Sequence, residues 1–134
     1  MAKLVDIEGV GRVNAQKLKK AGVRSTQGLL KAGATPAGRK KVAQKSGLSH
    51  GKILRWVNHV DLFRIKGVAS EYSELLEAAG VDSVRELAQR KPPALVAKMT
   101  EVNARKKLVR RLPTLSMVSR WVSQAKRLPR RIQY

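Results

Sequence analysis

The sequence has 134 residues, a formal net charge of +20 and no cysteine, which excludes disulfide bonds, thiolate metal sites and a cysteine nucleophile. No apolar run approaches the roughly 18 residues of a membrane-spanning helix, and the start lacks a signal-peptide pattern, so we expect a cytoplasmic protein. Lys and Arg number 29 against 9 Asp and Glu in a chain of ordinary apolar content, which indicates a folded protein with a polyanionic partner.

The first predicted element is a glycine turn that opens directly into a helix. Residues 7–11 read Ile-Glu-Gly-Val-Gly, and a helical stretch follows over residues 12–21. Glycine permits a sharp backbone turn, and the free N–H groups of a helix N-terminus favour an anion. We therefore predict a phosphate cradle formed by the backbone amides of Gly9, Val10 and Gly11.

Residues typical of helix starts and helix ends are frequent in the rest of the chain, whereas strand patterns are nearly absent. Glycines suited to helix C-termini are Gly22, Gly33, Gly47 and Gly80. Helix starts are predicted at Thr35-Pro36, Ser49, Ser83, Lys91-Pro92-Pro93 and Ser116, and Pro129 is expected to stop the last helix. Apolar residues at helical spacing over 53–60 and 118–125 predict two amphipathic helices. The fold class predicted from these signals is all-α, built from short helices.

An internal repeat organises the chain. A shift of 58 residues aligns nine identical apolar, turn or cap positions, beginning with Ile7 on Ile65 and Gly9 on Gly67. Arg-Trp-Val at residues 55–57 recurs at 120–122, so the second copy carries about seven extra residues. We predict two tandem units of four to five helices each, residues 1–64 and 65–134, packed as one compact unit.

Residues 7–30 are similar to the helix-hairpin-helix signature. The parts that match are the glycine turn at 7–11, the helix after it, Ala21-Gly22-Val23 and the helix capped by Ser25. The whole chain resembles the uncharacterised, mostly bacterial domain-of-unknown-function family four-three-three-two, which consists of tandem helix-hairpin-helix proteins. The segments that match are 33–39 (Gly-Ala-Thr-Pro-Ala-Gly-Arg), 56–58, 61–62, 75–81 and 107–113 (Lys-Leu-Val-Arg-Arg-Leu-Pro). Resemblance to this family implies an all-helical fold and supplies no function. The resemblance to helix-hairpin-helix modules implies binding to the minor groove and backbone of a DNA duplex through hairpin amides, although some such hairpins contact proteins instead.

The two hairpins differ in charge. Residues 67–86 carry five acids and one basic residue, and Ala69 replaces the second hairpin glycine, Gly11. A carboxylate beside a phosphate cradle weakens binding by like-charge repulsion. We expect only the first hairpin to bind phosphate. The second hairpin is expected to pack internally, to bind a protein partner or to pair with the basic remainder of the chain. Alternatively, its acids only solvate a helix face and compensate the helix dipole, as Glu71 and Glu74 would.

Basic residues cluster at several further places, because residues 87–134 carry 13 Lys or Arg and one acid. The predicted nucleic-acid contacts are Gly9, Val10, Gly11, Arg12, Lys17, Lys20, Arg39, Lys40, Lys41, Arg105, Lys106, Lys107, Arg110 and Arg111. Lys126, Arg127, Arg130 and Arg131 form a basic C-terminal end. No helix places side chains for base-edge recognition. We predict sequence-nonspecific double-stranded DNA binding by a small architectural or nucleoid-associated protein.

Two alternative functions stay open at this point. Small basic helical proteins also bind RNA or ribosomes, and the acidic second hairpin suits a protein-interaction adaptor. An enzyme is not expected, because the sequence has no paired carboxylates, no Ser-His-Asp set and no Walker loop. His50 and His59 are surface or helix residues without a third ligand, so we expect no metal, cofactor or catalytic residue.

Overall fold

The computed structural model describes residues 3–134, which form helices and no strand. A short 3₁₀ turn at Leu4–Asp6 precedes eight α-helices in these residues. They are α1 (Gly11–Lys20), α2 (Thr26–Ala32), α3 (Pro36–Ser46), α4 (His50–Leu62), α5 (Ser70–Ala78), α6 (Val84–Ala88), α7 (Pro92–Lys106) and α8 (Leu115–Arg127). The all-α prediction is confirmed. Within residues 3–134, no helix combines the length and apolar character of a membrane span.

Short polar side chains start the helices. The Thr35 hydroxyl accepts a hydrogen bond from the Gly38 N–H at 3.0 Å, and Pro36 is the first residue of α3, as predicted. The Ser83 hydroxyl accepts the Glu86 N–H at 3.2 Å at the start of α6. Each of these bonds satisfies one of the amides that a helix N-terminus leaves without a partner, and each contributes about 0.5–2 kcal/mol.

The last helix begins earlier than its pattern indicated. Thr114 is the N-cap of α8, and its hydroxyl accepts the Met117 N–H at 3.1 Å. The helix therefore includes Ser116 as its second residue rather than starting after it. Pro129 follows the end of α8 by two residues, where a ring without an N–H stops the helix as expected.

The chain divides into two compact units. Of the described residues, the first unit comprises 3–61 together with 131–134, and the second comprises 62–130. The boundary follows α4 closely, since α4 ends at Leu62. The sequence assigned residues 131–134 to the second repeat, whereas their contacts place them in the first unit.

The first unit buries an apolar core supplied by α1 to α4. In this unit α1 packs against the 3₁₀ turn and α3, and α2 packs against α3. Residues 131–134 complete it, because Ile132 is buried and the Gln133 N–H donates to the Ala34 carbonyl at 2.7 Å. The Tyr134 hydroxyl also lies 2.6 Å from Asn58 Oδ1. Burial of one isoleucine side chain stabilises a fold by roughly 1.5–3 kcal/mol.

The second unit has its own core, in which α8 packs against α6 and α7, and α5 packs against α7. Trp121 of α8 is buried, and its ring lies 5.2 Å from that of Tyr72 in a tilted arrangement. Such aromatic pairs contribute about 0.5–1.5 kcal/mol of stability beyond that of the area they bury. The Arg64 guanidinium donates to the Pro129 carbonyl at 2.6 Å, which ties the two ends of this unit together.

The same backbone hydrogen bonds recur 58 residues apart in the two units. The Val10 N–H donates to Ile7 O at 3.1 Å, and the Val68 N–H donates to Ile65 O at 3.1 Å. After α1, the Val23 N–H donates to Leu18 O at 2.9 Å, and after α5 the corresponding pair, Val81 and Leu76, are 2.8 Å apart. Gly22 and Gly80 both adopt positive φ at these helix ends, as their C-terminal positions predicted.

Candidate nucleic-acid interface

The first hairpin is a tight turn held by its apolar residues. Ile7 and Val10 are buried, and the Val10 N–H is used within the turn by Ile7 O. Gly9 and Gly11 have φ values of +86° and +65°, which side-chain-bearing residues rarely adopt. The prediction that the Val10 amide binds phosphate is therefore wrong, because this amide closes the turn and its side chain anchors the hairpin in the core.

Three other amides of the turn stay available to a ligand. The N–H groups of Gly9, Gly11 and Arg12 have no hydrogen-bond acceptor within residues 3–134. The first turn of α1 contains no acidic residue. Unpaired amides and the positive end of a helix dipole favour an anion at this position. The first hairpin is therefore the candidate phosphate site of this unit.

Exposed cations accompany this site in the first unit. Arg12, Lys17 and Lys20 are exposed on α1, and Lys17 and Lys20 share a helix face because they are three residues apart. Lys40 and Lys41 are exposed on α3, which packs against α1. Five of the predicted basic contacts are therefore accessible on two helices that touch each other.

Arg39 does not belong to this surface. Its side chain is only 2% exposed. Nη1 donates to the Gly33 carbonyl and Nη2 to the Gln133 carbonyl, both at 2.9 Å, and the guanidinium carbon lies 6.0 Å from the centre of the Tyr134 ring. Burial lowers the pKa of Arg39, and the interaction with Tyr134 partly opposes this shift. The prediction that Arg39 contacts nucleic acid is wrong, since the residue ties α3 to residues 131–134.

The second unit presents a basic segment over the last turn of α7 and the residues that follow it. All five basic residues predicted there are exposed, namely Arg105, Lys106, Lys107, Arg110 and Arg111. Lys107 ends α7 in the left-handed conformation, with φ of +51° and ψ of +48°. A non-glycine residue in this conformation is strained, so the surrounding structure must hold it in place.

Two polar side chains hold the basic segment in place. Asn103 of α7 donates from Nδ2 to the Val109 carbonyl at 3.1 Å and accepts the Val109 N–H through Oδ1 at 3.0 Å. The Tyr72 hydroxyl of α5 donates to the Arg111 carbonyl at 3.0 Å. The sequence did not single out Asn103 or Tyr72, because side-chain bonds to a distant backbone leave no periodic or spacing signal.

The second hairpin differs from the first at its helix start. Gly67 has φ of +95°, but Ala69 is extended with φ of −117°, where Gly11 is left-handed in the first unit. The Lys66 amide is already bonded to Gln124 Oε1 of α8 at 2.9 Å. Glu71 is exposed in the first turn of α5. An anion at this hairpin therefore meets a nearby carboxylate, whereas the first turn of α1 contains none.

The histidines show no arrangement for a metal. His50 is exposed at the start of α4, whereas His59 is fully buried in the same helix. Over residues 3–134, no three His, Asp or Glu side chains are positioned to hold a metal ion together.

Comparison with known protein families identifies the chain. A profile described as a domain of unknown function (DUF4332) matches residues 8–128, which span both hairpins and the basic segment. The chain belongs to this family. Searches of curated proteins and of solved structures give no match. The DUF4332 match therefore covers the candidate interface almost completely and assigns no activity to it.

Proposed function

We propose that this protein binds double-stranded DNA without sequence preference, through hairpin amides and exposed lysine and arginine side chains. In this proposal it is an architectural, nucleoid-associated binding protein rather than an enzyme. Residues 7–30 act as a helix-hairpin-helix motif, and residues 65–88 act as a second, divergent copy. The recurrence of the hairpin hydrogen bonds 58 residues apart supports the description of both segments as one type of motif.

The observation that carries the proposal is the first hairpin. Three amides without acceptors in the described chain lie there at an acid-free helix start, and the same unit carries exposed basic residues on α1 and α3. Backbone amides bind phosphate oxygens independently of the base, which suits binding without sequence preference. The basic segment at residues 105–111 then extends the footprint, because its side chains are exposed and its backbone is held.

Binding through these groups must depend strongly on salt. A net charge of +20 favours any polyanion, and each neutralised phosphate releases condensed counterions. For B-DNA, log K falls with log salt with a slope of about −0.9 per phosphate contact. The slope of log K against log salt therefore reports the number of phosphate contacts, which the affinity at one salt concentration does not.

The test is fluorescence anisotropy with a short labelled duplex, the matching single strand and a structured RNA, over a salt series from roughly 50 to 200 mM. The double variant Lys17→Ala/Lys20→Ala should reduce the magnitude of the duplex slope by about 1.8. Gln16→Ala is the matched control, because Gln16 is exposed on the same helix and carries no charge. Its slope should equal that of the wild type.

Two outcomes would overturn the proposal. The first is absence of duplex binding near physiological salt, which would redirect attention to a protein partner. The second is tighter binding to structured RNA than to the duplex in direct competition, which would favour an RNA or ribosomal role.

A further inference from the structure

A tryptophan lies behind each hairpin glycine. Trp56 of α4 is 2% exposed, and a Cβ atom placed on Gly9 would have the indole Nε1 as its nearest neighbour, at 3.8 Å. Trp121 of α8 is also 2% exposed, and a Cβ atom on Gly67 would lie 3.2 Å from its Nε1. In both units the N–H edge of the indole, rather than its benzene ring, faces the turn.

Neither indole N–H is used inside the protein. Within residues 3–134, no hydrogen-bond acceptor is placed on Nε1 of Trp56 or of Trp121. Neither nitrogen is among the fully enclosed polar atoms without a partner in residues 3–134. An indole N–H is only a donor, and buried tryptophans normally satisfy it. A buried ring with a free donor at the turn is poised for an acceptor from outside.

We propose that the indole N–H of Trp56 donates a hydrogen bond to the phosphate oxygen held at the first hairpin. This inference rests on the proposed function and adds a side-chain donor to the amides of Gly9, Gly11 and Arg12. Gly9 makes the arrangement feasible through its φ of +86°, which lets the backbone turn next to the indole nitrogen. The ligand class is a phosphodiester oxygen of nucleic acid.

The assignment is to Trp56 rather than Trp121 because the two hairpins differ in charge. Residues 7–20 carry four basic residues and one acid, Glu8, whereas residues 65–78 carry one basic residue and three acids, one of which, Glu71, lies in the first turn of α5. A phosphate at the second hairpin would meet that carboxylate. Trp121 therefore provides a matched control of the same chemistry and burial within the same protein.

The test replaces one indole with benzothienylalanine, which keeps the bicyclic shape and substitutes sulfur for the N–H group. The full-length protein is made by semisynthesis with this residue at position 56 or at position 121. Loss of one charge-assisted hydrogen bond should weaken duplex binding roughly tenfold for Trp56. The thermal midpoint should stay at its wild-type value in both proteins, and the affinity should be unchanged for Trp121.

Nuclear magnetic resonance reports the same bond directly. The chain has two tryptophans, so Trp56→Phe and Trp121→Phe assign both indole N–H signals. Duplex DNA should move the Trp56 signal downfield and leave the Trp121 signal near its free position.

The outcomes separate this inference from the proposed function. If the wild-type protein binds the duplex while the Trp56 signal and the benzothienyl affinity stay unchanged, the indole donor is refuted and the proposed function stands. An equal loss at both tryptophans would refute the assignment to the first hairpin. If the wild-type protein binds no duplex, the proposed function itself fails.

Discussion

Replacement of the buried arginine separates its structural role from nucleic-acid contact. Arg39→Met keeps most of the aliphatic stem but removes two charge-assisted hydrogen bonds of 2.9 Å, to the carbonyls of Gly33 and Gln133. Hydrogen bonds to charged groups contribute about 1.5–3 kcal/mol each, and removal of the buried charge recovers part of its desolvation cost. We expect Arg39→Met to lower the free energy of unfolding of the first unit by about 2–3 kcal/mol.

The assay is urea unfolding followed by tryptophan fluorescence in a Trp121→Phe background. In that background Trp56 is the only tryptophan left, and it belongs to the same unit as Arg39. Lys40→Met is the matched control, because Lys40 is the exposed neighbour on α3 and should change the stability by less than about 0.5 kcal/mol.

Duplex binding should show the opposite pattern. Under conditions where both variants are folded, Lys40→Met should reduce the magnitude of the salt slope by about 0.9, while Arg39→Met should leave it unchanged. An Arg39→Met protein that unfolds at the wild-type urea concentration, or that loses a phosphate contact, would refute the structural role described for this residue.

Three further predictions concern local geometry. Asn103→Ala removes both bonds to Val109 and should cost about 1–3 kcal/mol; hydrogen exchange of residues 107–111 should accelerate, and unchanged exchange would contradict the proposed anchoring. Lys107→Gly should raise the thermal midpoint, because it relieves about 1 kcal/mol of left-handed strain, while anisotropy shows a salt slope smaller by about 0.9. Ser25→Ala removes the cap on the Gly28 N–H and should cost about 1 kcal/mol in chemical unfolding, whereas Ser25→Asp should retain most of the stability.

Local signals predicted most of the fold. Thr35-Pro36 and Ser83 start helices as their capping chemistry indicated, and Gly47 ends α3 in the left-handed conformation. These features depend on residues within one turn of each other, so composition and spacing carry the information. The hairpin turn at residues 7–11 belongs to the same class, since its glycines adopt the positive φ values that a tight turn requires.

Long-range contacts could not be predicted in this way. In the sequence, Arg39 is one member of a run of basic residues. Its burial depends in part on a hydrogen bond to Gln133, which lies 94 residues further along the chain and leaves no local signal. Asn103 and Tyr72 position the basic segment through bonds to backbone carbonyls, which any residue supplies. The Val10 amide is a related case, because the bond that closes the turn uses one of the donors that the sequence predicts to face a ligand.

Because residues 131–134 belong to the first unit, the order in which the two units fold during synthesis is constrained. The second unit, residues 62–130, lies between the two sequence segments of the first unit. It therefore leaves the ribosome before Ile132 and the Gln133 carbonyl, which the first unit needs for its core and for the bond to Arg39. Domains usually fold in N- to C-terminal order as the chain emerges. Here the N-terminal unit is completed last, and until then Arg39 lacks an acceptor that it bonds in the finished protein.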